Sequence, residues 1–239
     1  MPDTSDDPPP TVVLHVWRVT TSNIPRALGL MATQRRDVRA LPFGKLLGTG
    51  SGRTFAARDA DIRQYALLTA WPSPAAAAIF DLGPIVGSWN RIATTQRRFE
   101  LQPITSRGTW SGQEPFGPER DQPATPDGPI AAVTHARIRP GRIRAFTRAV
   151  PPVVADLSTA PTYRLGIGEA PIGIQGTFSV WPDETSLRAF ARGAAHREVI
   201  RRRADERWYA EEIFARFAVV SDVQSSRRPD AETKPSTVQ

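Results

Sequence analysis

YALLTAWP at 65–72 and GTFSVWP at 176–182 decide how this chain is read. Each is a run of apolar, aromatic and β-branched residues that stops at Trp-Pro. That is the signature of a strand closed by a residue unable to donate to a ladder. Upstream of each lies a Gly-rich, hairpin-like stretch, FGKLLGTGSG (43–52) and YRLGIGEAPIG (163–173). Before these come basic stretches of helical apolar period, Ile24–Arg36 and Arg142–Leu157. Each of those follows a strand-like run, Thr11–Val19 and Pro129–Ile138. Beyond each Trp-Pro a second helix and a closing strand are expected, the strands at Phe99–Ile104 and Phe214–Val220.

The order β-α-β-β-α-β therefore occurs twice, and it is the order of the ferredoxin-like unit. Such a sheet carries both helices on one face and must bury the other. Packing sheet against sheet does so. The predicted fold is α+β: two tandem ferredoxin-like (βαββαβ) halves forming a dimeric-type α/β barrel. The halves are placed at 11–104 and 129–221, joined by a turn-rich segment, 105–128, that contains Trp110 and Phe116. Residues 1–10 and 222–239 are polar and proline-rich, and are expected to be disordered tails.

The chain has no cysteine, which removes disulfides, thiolate metal sites, iron–sulfur clusters and thiolate-ligated haem. The start, MPDTSDDPPP, lacks the features of a secretory signal, and no run approaches a membrane span, so a cytoplasmic protein is expected. The net charge of +7 comes from scattered arginines without an interleaved stacking motif. A solvated surface is expected, with no nucleic-acid role. A basic face meeting anionic lipid, as in peripheral membrane association, or the carboxylates of a cofactor is the alternative.

Three histidines are present. His15 and His135 lie on the opening strand of each half at non-matching positions, and read as satisfied polar residues on a sheet face. His196 differs. Fourteen residues beyond each Trp-Pro stands Val86 in the first half and His196 in the second. A repeat that loses symmetry at one position suggests a task done by one half. An unbroken helix from Asp183 would set its core stripe on Leu187, Phe190, Ala191 and Ala194 and turn His196 away. A break at Gly193 would place His196 on one face with Val199, Ile200 and Arg203. No G-x-S-x-G elbow is present, and Gly48–Gly52 lacks the Lys-Ser/Thr of a phosphate loop. No two-His-one-carboxylate spacing is visible. Haem with one axial histidine stays open, because it needs one side chain and a large apolar slot.

FGKLLGTGSG (43–52), LLTAWP (67–72), GTWSGQEPF (108–116), AAVTHARIRP (131–140), YRLGIGEAP (163–171), TFSVWPDETSLRAFARGAAH (177–196) and WYAEEIFARF (208–217) together resemble the spheroidene monooxygenase family. They run in order over nearly the whole body. Members often carry Lys where this chain has Arg164, a departure that bears on a polar contact near the substrate. The resemblance implies a barrel-fold monooxygenase that holds haem b and hydroxylates a carotenoid with O2 and a ferredoxin-type electron donor. It makes His196 the axial iron ligand, flanked by Val199 and Ile200. It puts Lys45, Trp110, Ser111 and Phe116 on the distal side and Lys45, Arg107 or Arg164 against the propionates, with Arg164 also near the reacting centre. Two chains pairing as a homodimer fits such barrels. Open alternatives are a haem enzyme of the same barrel acting on another small molecule, of oxygenase or dehydratase type, a cofactor-free member of the class, and a non-catalytic haem-binding module.

Overall fold

A computed structural model describes residues 9–51, 59–117, 127–143, 161–169, 174–192 and 208–226. Eight strands are present among them: β1 (Thr11–Val19), β2 (Phe43–Gly50), β3 (Ala60–Trp71), β4 (Ala93–Gly108), β5 (Ile130–Ile138), β6 (Tyr163–Glu169), β7 (Ile174–Trp181) and β8 (Tyr209–Ser226). The helices are α1 (Ile24–Thr33), α2 (Arg35–Arg39), α3 (Pro74–Asp81), α4 (Pro84–Ile92) and α5 (Glu184–Ala191). The strands close into one barrel in the order β1-β3-β2-β6-β7-β5-β8-β4, every neighbour antiparallel. A closed barrel differs from two sheets laid face to face. The edge strands hydrogen-bond across the seams β2–β6 and β4–β8, so the described strands form a closed ring.

Strand alternation sends successive side chains to opposite faces. Val12, Leu14 and Val16 of β1 join Phe43, Leu68, Phe99, Val133, Phe178 and Phe217 in the barrel interior. The intervening Trp17 and Val19 pack outward against Ala27, Val86 and Trp89 of the helices. Both Trp-Pro corners are built alike. Trp71 Nε1 donates to Thr69 Oγ1 at 2.8 Å, and Trp181 Nε1 to Ser179 Oγ at 3.0 Å. Ser73 and Asp183 then cap α3 and α5 by accepting from Ala76 N and Ser186 N. Phe80 and Phe190 return to lie on Trp71 and Trp181.

Several boundaries shift from the sequence expectation. β4 runs to Gly108 and β8 to Ser226 because the two strands pair from Thr95↔Ser226 to Gly108↔Ile213. The linking segment thus begins inside a strand, and Asp222–Ser226, assigned to a polar tail from composition, extend the sheet. Arg97 holds that extension by a two-pronged pair to Asp222, at 2.7 and 2.6 Å. The Gly-rich stretch at 43–52 is strand over 43–50 rather than a hairpin in itself; its close approach is real at Gly50, where a Cβ would meet Asp59 O at 2.5 Å. The helix expected after Trp71 is two helices, broken where Gly83 and Pro84 restart the chain. Helix α5 ends at Ala191 with Arg192 as its cap, ahead of Gly193. His196, Val199, Ile200, and all but the first two residues of the helix expected at Arg142–Leu157, lie outside the described residues. No helix among the described residues is long and apolar enough to cross a membrane.

Candidate functional site

The pairing registers align the two halves residue by residue. Thr11 faces Trp71 and Ile130 faces Trp181, so Val13, His15 and Trp17 correspond to Ala132, Thr134 and Ala136. On the same outer face, Tyr65 and Leu67 correspond to Gln175 and Thr177. Position by position, the outer face of the first half is bulkier or more aromatic. Trp17, Tyr65 and Trp89 stack there with centroids 5.1 to 5.4 Å apart, and Leu67 is fully buried against them. His15 is paired with Asp81 at 2.9 Å and stacked on Trp17, a satisfied sheet-face histidine as expected.

In the second half the same face is lined by Ala132, Thr134, Thr177 and Ser179, and a cavity of about 390 Å³ opens over it. Trp181, Leu187, Phe190 and Phe214 form apolar walls, and Arg107, Arg164, Arg188 and Arg216 supply positive charge. Glu184 fixes two of these cations, accepting from Arg188 Nε at 2.8 Å and from Arg216 Nη1 at 2.7 Å. Small residues on a sheet, apolar walls and cations at the side suit a flat apolar ligand with acidic substituents.

A second constellation lies inside the barrel at one end. Trp110 is fully buried and stacked on His135, centroids 3.8 Å apart and planes 15° apart. Its Nε1 donates to Glu169 Oε1 at 2.6 Å. His135 Nε2 lies 3.2 Å from the same oxygen, off the direction of a good hydrogen bond, and Nδ1 has no hydrogen-bond partner. Lys45 Nζ lies 3.7 Å from Glu169 Oε2 and donates to Ser111 Oγ at 2.5 Å. Burial alone would raise the Glu169 carboxyl. Contact with His135, the Lys45 charge and the Trp110 N–H outweigh it and hold the group below the usual carboxylate range. Burial pushes the Lys45 amine below its ordinary value against the opposing charges of Glu169 and Glu211. Glu211 accepts from Thr109 Oγ1 at 3.1 Å and Gly112 N at 2.6 Å, pinning the turn that carries Ser111. Ser111 itself sits at φ 57°, the left-handed region.

The structure therefore divides the residues expected around one ligand. Lys45, Trp110 and Ser111 come together inside the barrel. Phe116 is packed in the core against Phe43 and Phe217 and lines neither space. Arg107 and Arg164 face the outer cavity on the other side of the sheet. The placement of Lys45, Trp110, Ser111, Phe116, Arg107 and Arg164 around one ligand is corrected: strand alternation turns Lys45 of β2 inward and Arg107 of β4 and Arg164 of β6 outward, while Trp110 and Phe116 enter the core from the segment that follows β4. Glu169, Glu211 and the role of His135 escaped the sequence reading. A signal existed, since His135 shares the parity of Ala131 and Val133, both core-facing.

No family model matches the chain. Among solved structures, a crystal structure of aldoxime dehydratase superposes with a TM-score of 0.55 over 91% of this chain and 83% of that one, at 9% identity. Aldoxime dehydratase in complex with butyraldoxime gives 0.61 over 92% and 83%, at 7% identity. The fold is thus an α+β barrel of the kind seen in these two structures. The sequence relatives are closer. Spheroidene monooxygenase of Rhodobacter capsulatus is 35% identical over 219 residues, 88% of this chain and 90% of that protein. The Cereibacter sphaeroides protein of the same name is 32% identical over 82% of this chain and 62% of its own length, and that of Rubrivivax gelatinosus 35% over 75% and 69%. The chain belongs to the spheroidene monooxygenase family.

Proposed function

We propose that the chain is a haem-dependent monooxygenase that oxidises an apolar, carotenoid-like substrate with O2 and electrons from a ferredoxin-type donor. The observation that carries the reading is the contrast between the outer faces. Where the first half fills the space with Trp17, Tyr65 and Leu67, the second leaves a slot over Ala132, Thr134 and Thr177. The donor set fits the group: guanidinium ions for the propionates, apolar walls for the macrocycle, and an imidazole from His196 for the iron. Lining residues Leu187, Phe190 and Ala191 belong to α5, and His196 follows Ala191 by five positions in sequence. His15 is committed to Asp81, and His135 points into the barrel, which supports His196 as the ligand. The same strand order in each half, fourth-first-third-second, supports the two halves as tandem ferredoxin-like units.

Bound haem would supply the O2-activating chemistry. The chain's own task is to hold it and the substrate. Arg107 and Arg164 pair with carboxylates at the slot. Trp181, Phe190 and Phe214 exclude water from an apolar substrate. Thr134, Thr177 and Ser179 offer hydroxyls that donate a hydrogen bond or pass a proton at the sheet wall. The relatives' name supplies the substrate class, and a polyene fits walls of this character.

Purified protein given haem should show a Soret band, and His196→Ala should abolish or displace it. Turnover of an acyclic carotenoid with O2 and a reduced ferredoxin should add oxygen to the product, read by mass spectrometry. No Soret band after haem addition would end the reading. Conversion of an aldoxime to a nitrile in place of oxygen insertion would assign the slot to dehydration instead.

A further inference from the structure

Among the 31 basic side chains only two are lysines, Lys45 and Lys234; every other cation is arginine. A chain that meets its need for surface charge with arginine has no need of lysine for charge alone. What lysine offers and arginine does not is an amine that can lose its proton and act as a nucleophile. Lys45 is the lysine among the described residues, and burial pushes its amine below the ordinary value while the Glu169 carboxylate and two aromatic rings beside it favour the charged form. Its side chain is 13% exposed. Nζ lies 5.5 Å from the Phe43 ring centre and 6.0 Å from that of Trp110. It stands at the wall of a cleft of about 1070 Å³, lined on one side by Leu28, Met31 and Val38 and on the other by Leu46, Gly48 and Glu169. The cleft forms where the β2–β6 seam ends, since pairing runs only from Gly48↔Gly168 to Gly50↔Gly166. It is separate from the cavity of the second half, with which it shares no lining residue.

We propose that Lys45 is a carbonyl-binding residue that condenses with an aldehyde or ketone whose apolar body lies in this cleft. The neutral Nζ attacks the carbonyl carbon and the π pair moves to oxygen. A proton passes from the nitrogen to that oxygen through the Ser111 hydroxyl, which sits 2.5 Å from Nζ. The C–O bond then breaks, oxygen leaves as water, and the nitrogen lone pair forms C=N. One carbonyl compound, one amine and one solvent proton give one protonated imine and one water, and nothing is oxidised or reduced. The iminium charge faces the Glu169 carboxylate that now stands 3.7 Å from Nζ. Contact with His135, the positive charge at Lys45 and the Trp110 N–H hold that carboxyl below its usual range, and the iminium keeps the positive charge there. Acyl transfer through Ser111 is the competing chemistry, and the turn argues against it. The Gly112 N–H that could stabilise an oxyanion there already donates to Glu211.

The test treats the full chain at neutral pH with decanal and sodium cyanoborohydride, and follows each alkylated amine by peptide mass spectrometry. Lys234 and the N-terminal amine are internal comparators. Lys45 should be alkylated at least about tenfold faster than Lys234, and faster by decanal than by propanal, because only the longer chain fills the cleft. Its rate should rise with pH through a midpoint below that of Lys234. Glu169→Gln should slow labelling of Lys45 alone, and Lys45→Arg should remove that adduct. The site-resolved rates in the unaltered chain decide the matter even if a variant misfolds. Equal rates at Lys45 and Lys234, or no preference for decanal over propanal, would overturn the proposal.

Discussion

Leu67 in the first half and Thr177 in the second occupy equivalent positions on the outer sheet face, and exchanging them tests whether one is packing and the other is space. Leu67 is fully buried among Trp17, Tyr65 and Trp89. Leu67→Thr removes a packed methyl and buries a hydroxyl without a designated acceptor. A large-to-small change in such a core costs about 2–5 kcal/mol, and a buried unpaired hydroxyl adds about 1–3. With some relaxation, a loss of about 3–5 kcal/mol is expected, or roughly 6–20 °C in Tm for a chain of this size. Thr177 lines the cavity of the second half. Thr177→Leu therefore has room to be accommodated, and stability should change by less than about 1 kcal/mol in either direction. The proposed haem binding has the opposite sensitivity: uptake, titrated by the Soret band, should fall at least about tenfold in Thr177→Leu and stay unchanged in the folded fraction of Leu67→Thr. Urea unfolding followed by tryptophan fluorescence reads the first quantity and haem titration the second. Thr177→Leu destabilising the chain as much as Leu67→Thr, with haem uptake intact, would refute the claim that the outer face of the second half is a slot.

Other predictions follow from the ion pairs. The Glu169 carboxyl is held below its usual range when folded, so its stabilisation is present above the ordinary carboxylate value and is lost as pH falls through the folded value. Glu169→Gln should cost about 1–3 kcal/mol at neutral pH, with stabilities converging with the unaltered chain at acid pH in urea titrations. Asp81 carries the same sign, burial being outweighed by His15 and Arg98, so Asp81→Asn should also flatten the acid limb. Arg97 lies over Phe99 and Tyr163, 4.8 and 4.3 Å from the ring centres, and clasps Asp222. Arg97→Ala should cost about 1–2 kcal/mol and speed amide exchange in 222–226. Gly176→Ala should lower Tm strongly, because a Cβ there would stand 2.0 Å from Thr134 O across β5–β7.

The sequence by itself determined the repeat and the family. Trp71-Pro72 and Trp181-Pro182 each close a strand and precede a helix, which is local chemistry visible in one dimension; the structure adds the phenylalanine packed back on each Trp and the side-chain cap of each helix. The family segments likewise picked out Lys45, Trp110 and Ser111, which do meet in space. Tertiary structure decided the rest. Whether a residue faces the barrel or the helices depends on the register of its strand against neighbours far away in the chain, and a slip of one residue reverses it. That is why Arg107 and Arg164 parted from Lys45, and why Glu169 of β6 met His135 of β5 in the Trp110 cluster, a meeting that the inward parity of His135 alone does not specify. Closure is also long-range: β4 and β8 lengthen because each is the other's partner, so composition alone set the end of the folded body short at residue 221.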